Sequence, residues 1–262
     1  MRVSRLAALL LSLALPLTLA MTSGAARAQA TVAAAADLKF AVEEVAARFT
    51  ADTGKTVRLT FGSSGNFTRQ IQEGAPFQMF MSADEDLVFR LAEAGKTEDR
   101  GTIYATGRLV IFAPTGSALV PDAELRDLGA AIKDGRLKRF AIGNPEHAPY
   151  GKRAEEALRK AGLWDNIQPR LVLGENIAQA AQFAVSGDTQ GGIVAYSLVL
   201  SPQLADKGRY ALIPAEWHNP LRQRMVLLKG ADDSAKAFYA YLQQPRAREA
   251  MRKYGFILPG EQ

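Results

Sequence analysis

The chain has 262 residues, 48% of them apolar and 23% charged, with 22 Gly, 12 Pro and no Cys. That balance excludes global disorder and leaves room for one large domain or two ordinary lobes. The missing thiol excludes a disulfide framework, a thiolate metal site, a cysteine nucleophile and a lipid-modified cysteine. Lys and Arg total 32 against 27 Asp and Glu, a formal +5 that suggests a negatively charged partner until the excess is located along the chain.

Residues 1–30 read as a secretory signal peptide. Arg2 and Arg5 open it, residues 6–20 are almost all apolar, and Ala28-Gln29-Ala30 ends it as a small-x-small cleavage site, with Ala26-Arg27-Ala28 close by. The apolar stretch is too short for a membrane span and contains Pro16. Cleavage removes Arg2, Arg5 and Arg27 and no acid, which brings the charge from +5 to +2. Nucleic-acid binding thereby loses its support in composition. A soluble protein outside the cytoplasm is expected, in the periplasm if the source is Gram-negative.

After the leader, β-rich runs alternate with runs of helical period. Strands are expected at 31–35, 55–61, 79–82, 108–113, 139–143, 171–173, 192–195, 210–213 and 224–229. Helices are expected at 38–53, 66–73, 83–94, 152–161, 177–185, 197–205, 234–241 and 245–254, with short helical pieces between 114 and 135. This alternation indicates α/β architecture with mostly parallel sheets flanked by helices.

In such sheets ligands bind where strands end and helices begin, because free N–H groups at a helix start favour anions. Ala36-Asp37, Ser63-Ser64-Gly65, Pro149-Tyr150-Gly151 and Asn176-Ile177 all fall at such junctions. The serines have a plain alternative role as N-caps, and Tyr150 as a ring packed on its loop. His147 has one other histidine in the chain, His218, so a zinc site has little support. No G-x-S-x-G elbow, Walker loop or G-x-G-x-x-G is present. Asp84-Glu85-Asp86 suits a helix start, and the run from Lys152 to Lys160 reads as a solvated helix face. Trp164 and Trp217 read as core rather than a sugar-stacking platform.

Taken in order, AAADL (34–38), FGSSGNFTRQI (61–71), GAPF (74–77), FMSADE (80–85), GRLVIFAP (107–114), FAIGNPEHAPYG (140–151), GENIAQA (174–180), GGIVAYS (191–197) and the tail 236–256 resemble the periplasmic molybdate-binding proteins that feed an ABC importer. The resemblance implies a two-lobe periplasmic-binding fold, with residues 31–110 plus 217–262 as lobe one and 111–216 as lobe two. It implies molybdate, and tungstate too, held in the cleft by Ala36, Asp37, Ser63, Ser64, Tyr150 and Ile177 and delivered to an inner-membrane permease. No catalysis, no cofactor, no direct cation ligand and a monomeric carrier are implied with it. Where other members have a Tyr after G-I-V, this chain has Ala195, with Tyr196 next, and Tyr150 stands in.

Asp37 departs from the family pattern, which has a neutral Ser or Asn there. An ionised carboxylate cannot donate a hydrogen bond and repels a dianion. Three outcomes are open: the carboxylate turns away and caps the first helix; it is protonated in the closed site and donates; or it accepts from a protonated anion such as hydrogen phosphate. The cap is the first expectation, since Asp is a favoured N-cap. Another tetrahedral oxyanion, or an exported enzyme drawing on Asp37, His147 and Tyr150, are the alternative functions.

Overall fold

Small and β-branched residues open the described chain. In a computed structural model, which describes residues 29–261, they form β1 (Ala30–Ala35), a 3-10 turn at Ala36–Leu38 and α1 (Lys39–Thr53). The chain continues through β2 (Val57–Gly62), α2 (Ser64–Gln72), β3 (Met79–Ser82), α3 (Glu85–Glu93) and β4 (Thr102–Gly107). Next come β5 (Leu109–Pro114), α4 (Arg126–Lys133), β6 (Phe140–Gly143), α5 (Pro149–Lys160) and α6 (Trp164–Ile167). After these follow β7 (Leu171–Gly174), α7 (Ile177–Val185), β8 (Gly192–Ala195), α8 (Tyr196–Val199) and β9 (Gly208–Leu212). β10 (Leu221–Leu227), α9 (Asp233–Tyr241) and α10 (Pro245–Lys253) end it. The leader expected at 1–30 lies almost wholly outside the described residues.

Two five-stranded sheets result, in the orders β2-β1-β3-β10-β4 and β7-β6-β8-β5-β9. In each, three neighbouring strands are parallel, as the helix alternation predicts, and two more join antiparallel. The antiparallel strands are those next to the points where the chain changes sheet. It crosses at Arg108, between β4 and β5, and returns between β9 and β10, so Leu109 and Val110 pair in the second sheet. The strand at β4 was not foreseen: TIYATG has Gly at its end and no clean alternation of apolar and polar residues. The helix expected at 197–205 is a single turn, α8, because the chain turns away after Leu200.

One continuous apolar core, including Val32, Phe49, Ile111, Phe140 and Ile193, lies under both sheets. Trp164 joins it, with Trp217 packed against its side. Ala30 is fully buried against Ala231 and Ala235. Among the described residues no helix is long and apolar enough to cross a membrane.

Candidate functional site

Parallel strands deliver their C-terminal ends to one place. β1 leads into the 36–38 turn, β2 into α2, β6 into α5 and β7 into α7. Ala36, Asp37, Ser63, Ser64, Tyr150 and Ile177 all line one cavity there, together with Gly62, Ala83, Ala148, Pro149 and Asn176. All six are at least 95% buried. The cavity has a volume of about 10 Å3, room for one water-sized sphere. Among the described residues no Lys or Arg lines it.

The donors are neutral and locally encoded. The Asn176 side chain caps α7 by accepting from Ala178 N at 3.0 Å and Gln179 N at 3.1 Å. That leaves Ile177 N–H, at the first helical position, with no carbonyl of its own helix to bond. Pro149 starts α5 without an N–H, so Tyr150 presents the first amide of that helix. Ser64 Oγ accepts from Ala83 N at 3.0 Å, which leaves the hydroxyl proton free to donate. Ser63 is different: its hydroxyl donates to the His147 carbonyl across the cleft. Gly65 N donates to the same carbonyl at 3.0 Å, and a Cβ on Gly65 would lie 2.5 Å from that oxygen. Only glycine lets the two chain segments approach so closely.

Asp37 does not cap the first helix, contrary to the first expectation; no side chain caps either the 36–38 turn or α1. Its side chain is instead drawn into a polar network between the sheets. Oδ2 accepts from Gln223 Nε2 at 2.7 Å, and the same Nε2 lies 3.1 Å from the Tyr150 hydroxyl. Tyr104 donates to Gln223 Oε1 at 2.8 Å, which orients the amide toward Asp37. Asp37 Oδ1 is buried without a partner. Burial pushes the carboxyl from 3.8 up to about 6, against the Gln223 amide bond and the nearby Tyr150 hydroxyl, which pull it down. Burial, and then the Asp37 charge, hold the Tyr150 and Tyr104 phenols well above their ordinary value. Gly107, at the crossing, leaves space for this network: a Cβ there would lie 2.1 Å from the Tyr150 oxygen.

Gln223 and Tyr104 were missed from sequence. A signal existed for Gln223, which shares the buried face of β10 with Leu221 and Met225, where an amide must find partners. Tyr104 lies on the strand that was itself missed. His147 stands at the rim, not in the cavity: Nδ1 lies 3.1 Å from Ser63 Oγ and Nε2 lies 3.4 Å from Glu175. Among the described residues no group of three or more His, Asp or Glu side chains is placed to hold a metal ion. Tyr196 does not line the cavity and stacks at a tilt on Tyr210, with ring centroids 5.6 Å apart. The run 152–160 is only partly a solvated face. Glu155 and Arg159 pair as expected at i,i+4, but Arg153 is 6% exposed, because it reaches across the cleft to Asp84 at 3.2 Å.

A two-sheet molecule with helix starts converging on a cleft is the architecture of a bacterial solute-binding protein, and the comparisons agree. The family model for the bacterial extracellular solute-binding protein matches residues 30–257. The molybdate-binding protein ModA of Rhodobacter capsulatus is 38% identical over 93% of this chain and 94% of its own length. ModA of Azotobacter vinelandii is 36% identical over 91% and 93%. The solved structure of the Azotobacter vinelandii periplasmic molybdate-binding protein superposes with a TM-score of 0.80 at 29% identity, covering 88% of this chain and all of that one. The chain belongs to the bacterial extracellular solute-binding family, and within it to the family of the molybdate-binding proteins.

Proposed function

We propose that this protein captures molybdate, and tungstate with it, and delivers the anion to an inner-membrane ABC permease. One observation carries the reading: helix and turn starts from both sheets meet at a single cavity whose donors are hydroxyls and backbone N–H groups, without a basic side chain. Such donors suit a small oxyanion taken out of water. The ModA relatives support the choice of anion. Ala36, Ser64, Tyr150 and Ile177 are the proposed contacts, with Asp37 beside them and Ser63 tying the cleft shut.

Entry requires the two halves to part. The lobes are proposed to follow the sheets, with the chain from 31 to the crossing at Arg108 plus the segment from about 217 as lobe one. Closure by a hinge at the crossings then presents a joined surface to the permease. The protein acts as a monomeric carrier without catalysis or cofactor. Asp37 and Tyr150 lie in the cavity while His147 lies at its rim, which supports binding over acid–base chemistry. Export by the N-terminal leader would take it to the periplasm. Cleavage after Ala28 suits the fold better than cleavage after Ala30, since Ala30 is the buried first residue of β1.

A second reading, a protonated oxyanion such as hydrogen phosphate, draws on the unpartnered Asp37 Oδ1 as an acceptor. Calorimetry with molybdate, tungstate, sulfate and phosphate separates the two. Stoichiometric binding of molybdate and tungstate, weaker in Ser64→Ala, is the expected result. Binding of phosphate alone favours the second reading, and no binding of molybdate or tungstate at any pH overturns the first.

A further inference from the structure

The Asp37 carboxyl has two oxygens in unlike positions. Oδ2 is held by the Gln223 amide at 2.7 Å, and that amide is itself oriented by Tyr104. Oδ1 is buried and has no hydrogen-bond partner. A bare carboxylate oxygen in a dry site is costly, and a dianion arriving beside it adds a second negative charge. The cavity lining offers no Lys or Arg among the described residues to offset either charge. One proton on Oδ1 solves both problems: it removes the charge and turns a repelling acceptor into a donor toward the anion.

We propose that Asp37 is the specificity-determining residue that couples capture to proton uptake, one proton from solvent settling on its carboxyl as the site closes on a fully deprotonated oxyanion. The inference rests on the oxyanion reading above. The proton goes onto a carboxylate oxygen; no covalent bond in the anion changes and no electron moves. The side chain meets an oxygen of the molybdate, not its metal. A dianion therefore binds with a proton taken from solvent, whereas a hydrogen phosphate carries the proton in with it.

Of Asp37 and the side chains that face it, Asp37 is the one that titrates near neutrality. Tyr150 of α5 and Tyr104 of β4 face it, and both phenols are held well above their ordinary range. Gln223 of β10 is neutral. Of the elements packed on the 36–38 turn, α7 carries no titratable side chain, and α8 carries Tyr196, raised by burial and engaged with Tyr210. α1 carries Lys39, Glu43, Glu44, Arg48 and Asp52, and β2 carries Arg58, which is exposed; Asp52 is engaged by Tyr241 and Arg246. Lys39 lies over the Phe40 ring, while Glu44 is paired with Arg48 and Lys253. None of these acts among the causes that set the Asp37 carboxyl, which lies at about 6 before any anion arrives.

The test is calorimetry of molybdate binding between about pH 6.5 and 8.5, in buffers of different ionisation enthalpy, with the full-length mature protein and with Asp37→Asn and Asp37→Ser. Wild type is expected to lose about tenfold in affinity per pH unit and to take up close to one proton per anion at the upper end. Both variants are expected to bind with no pH slope and no proton uptake, and at about pH 8 to bind more tightly than wild type by roughly 10- to 100-fold. A wild type whose affinity is flat and whose proton count is zero overturns the inference and leaves the oxyanion reading standing. A slope that survives in a folded variant overturns it as well, since another group then carries the proton. If neither wild type nor variants bind molybdate or tungstate at any pH, the oxyanion reading falls first. Should one substitution impair folding, the other and the wild-type proton count still decide.

Discussion

The floor of the cleft and its rim join the same two sheets by opposite means. On the floor, Asp37, Gln223, Tyr150 and Tyr104 share hydrogen bonds in a buried network containing a single carboxyl group. At the rim, Arg153 spans to Asp84, Glu156 accepts from Asn219 N at 2.8 Å, and Glu175 reaches both Asn66 and His147. Rim charges keep some access to water; the Glu175 side chain is 60% exposed. Water screens the Glu175 pair, which therefore contributes little, whereas Arg153 is 6% exposed and only its partners Asp84 and Glu156 keep some access to water. On the floor no screening is available, so every proton position matters. On the function proposed above, selection of the anion falls to the floor and retention of the closed form to the rim.

The largest effect that would break this contrast is expected at Asp37. Its folded value of about 6 lies above its ordinary 3.8, so the folded state holds the proton across that window. The stability this group supports is thus present below about pH 4 and falls as pH rises toward 6. Asp37→Asn removes the loss and is expected to stabilise the anion-free protein by about 2–3 kcal/mol at pH 8, with little gain at pH 4. Thermal melts of both proteins across pH check it; an equal shift at every pH refutes the assignment.

Next in size is Gly65→Ala. The added Cβ meets the His147 carbonyl, which belongs to the opposite segment, so closure rather than folding is obstructed. An affinity loss of roughly 10- to 100-fold with a nearly unchanged melting temperature is expected, following the usual cost of overpacking. A fall in melting temperature without loss of affinity would instead make Gly65 a folding residue.

Arg153→Ala probes the rim. It leaves Asp84 and Glu156 near water, so its effect on affinity is expected to be about fivefold, roughly 1 kcal/mol, and smaller in high salt. Equal losses from Arg153→Ala and from a floor substitution would erase the distinction drawn above. The smallest effect is expected far from the cleft, at Lys253→Ala. Lys253 pairs with Glu44 at 2.8 Å on the outer face, and only a slight loss of stability is expected, with anion affinity unchanged. Denaturant melts beside calorimetry measure both quantities.

Much of the site was legible from sequence because its parts are local. A strand, a small or hydroxylated residue and a helix start occupy a few consecutive positions, and the direction of a parallel strand sends each junction to the same end of its sheet. Ala36, Ser64, Tyr150 and Ile177 were found in that way, and so was the alternation that defines the α/β class. What lies between the junctions was decided elsewhere. Gln223 lies 186 residues from Asp37, and Tyr104 lies 119 residues from Gln223. Local preference favoured Asp37 as a cap, yet long-range burial beside an amide and two phenols drew its side chain inward. Arg153 has the sequence surroundings of a solvated helix yet is buried, because Asp84, at the N-cap of α3, approaches from a distant segment.

The sequence by itself determined the alternation of strands and helices apart from β4, the exported character expected of the leader and the neutral donors at the helix starts. These depend on residues a few positions apart. Only the tertiary structure decided which polar side chains face one another across the cleft, and so how a lone carboxyl is kept there. That choice depends on which distant segments exclude water together, and burial sets the cost of a charge.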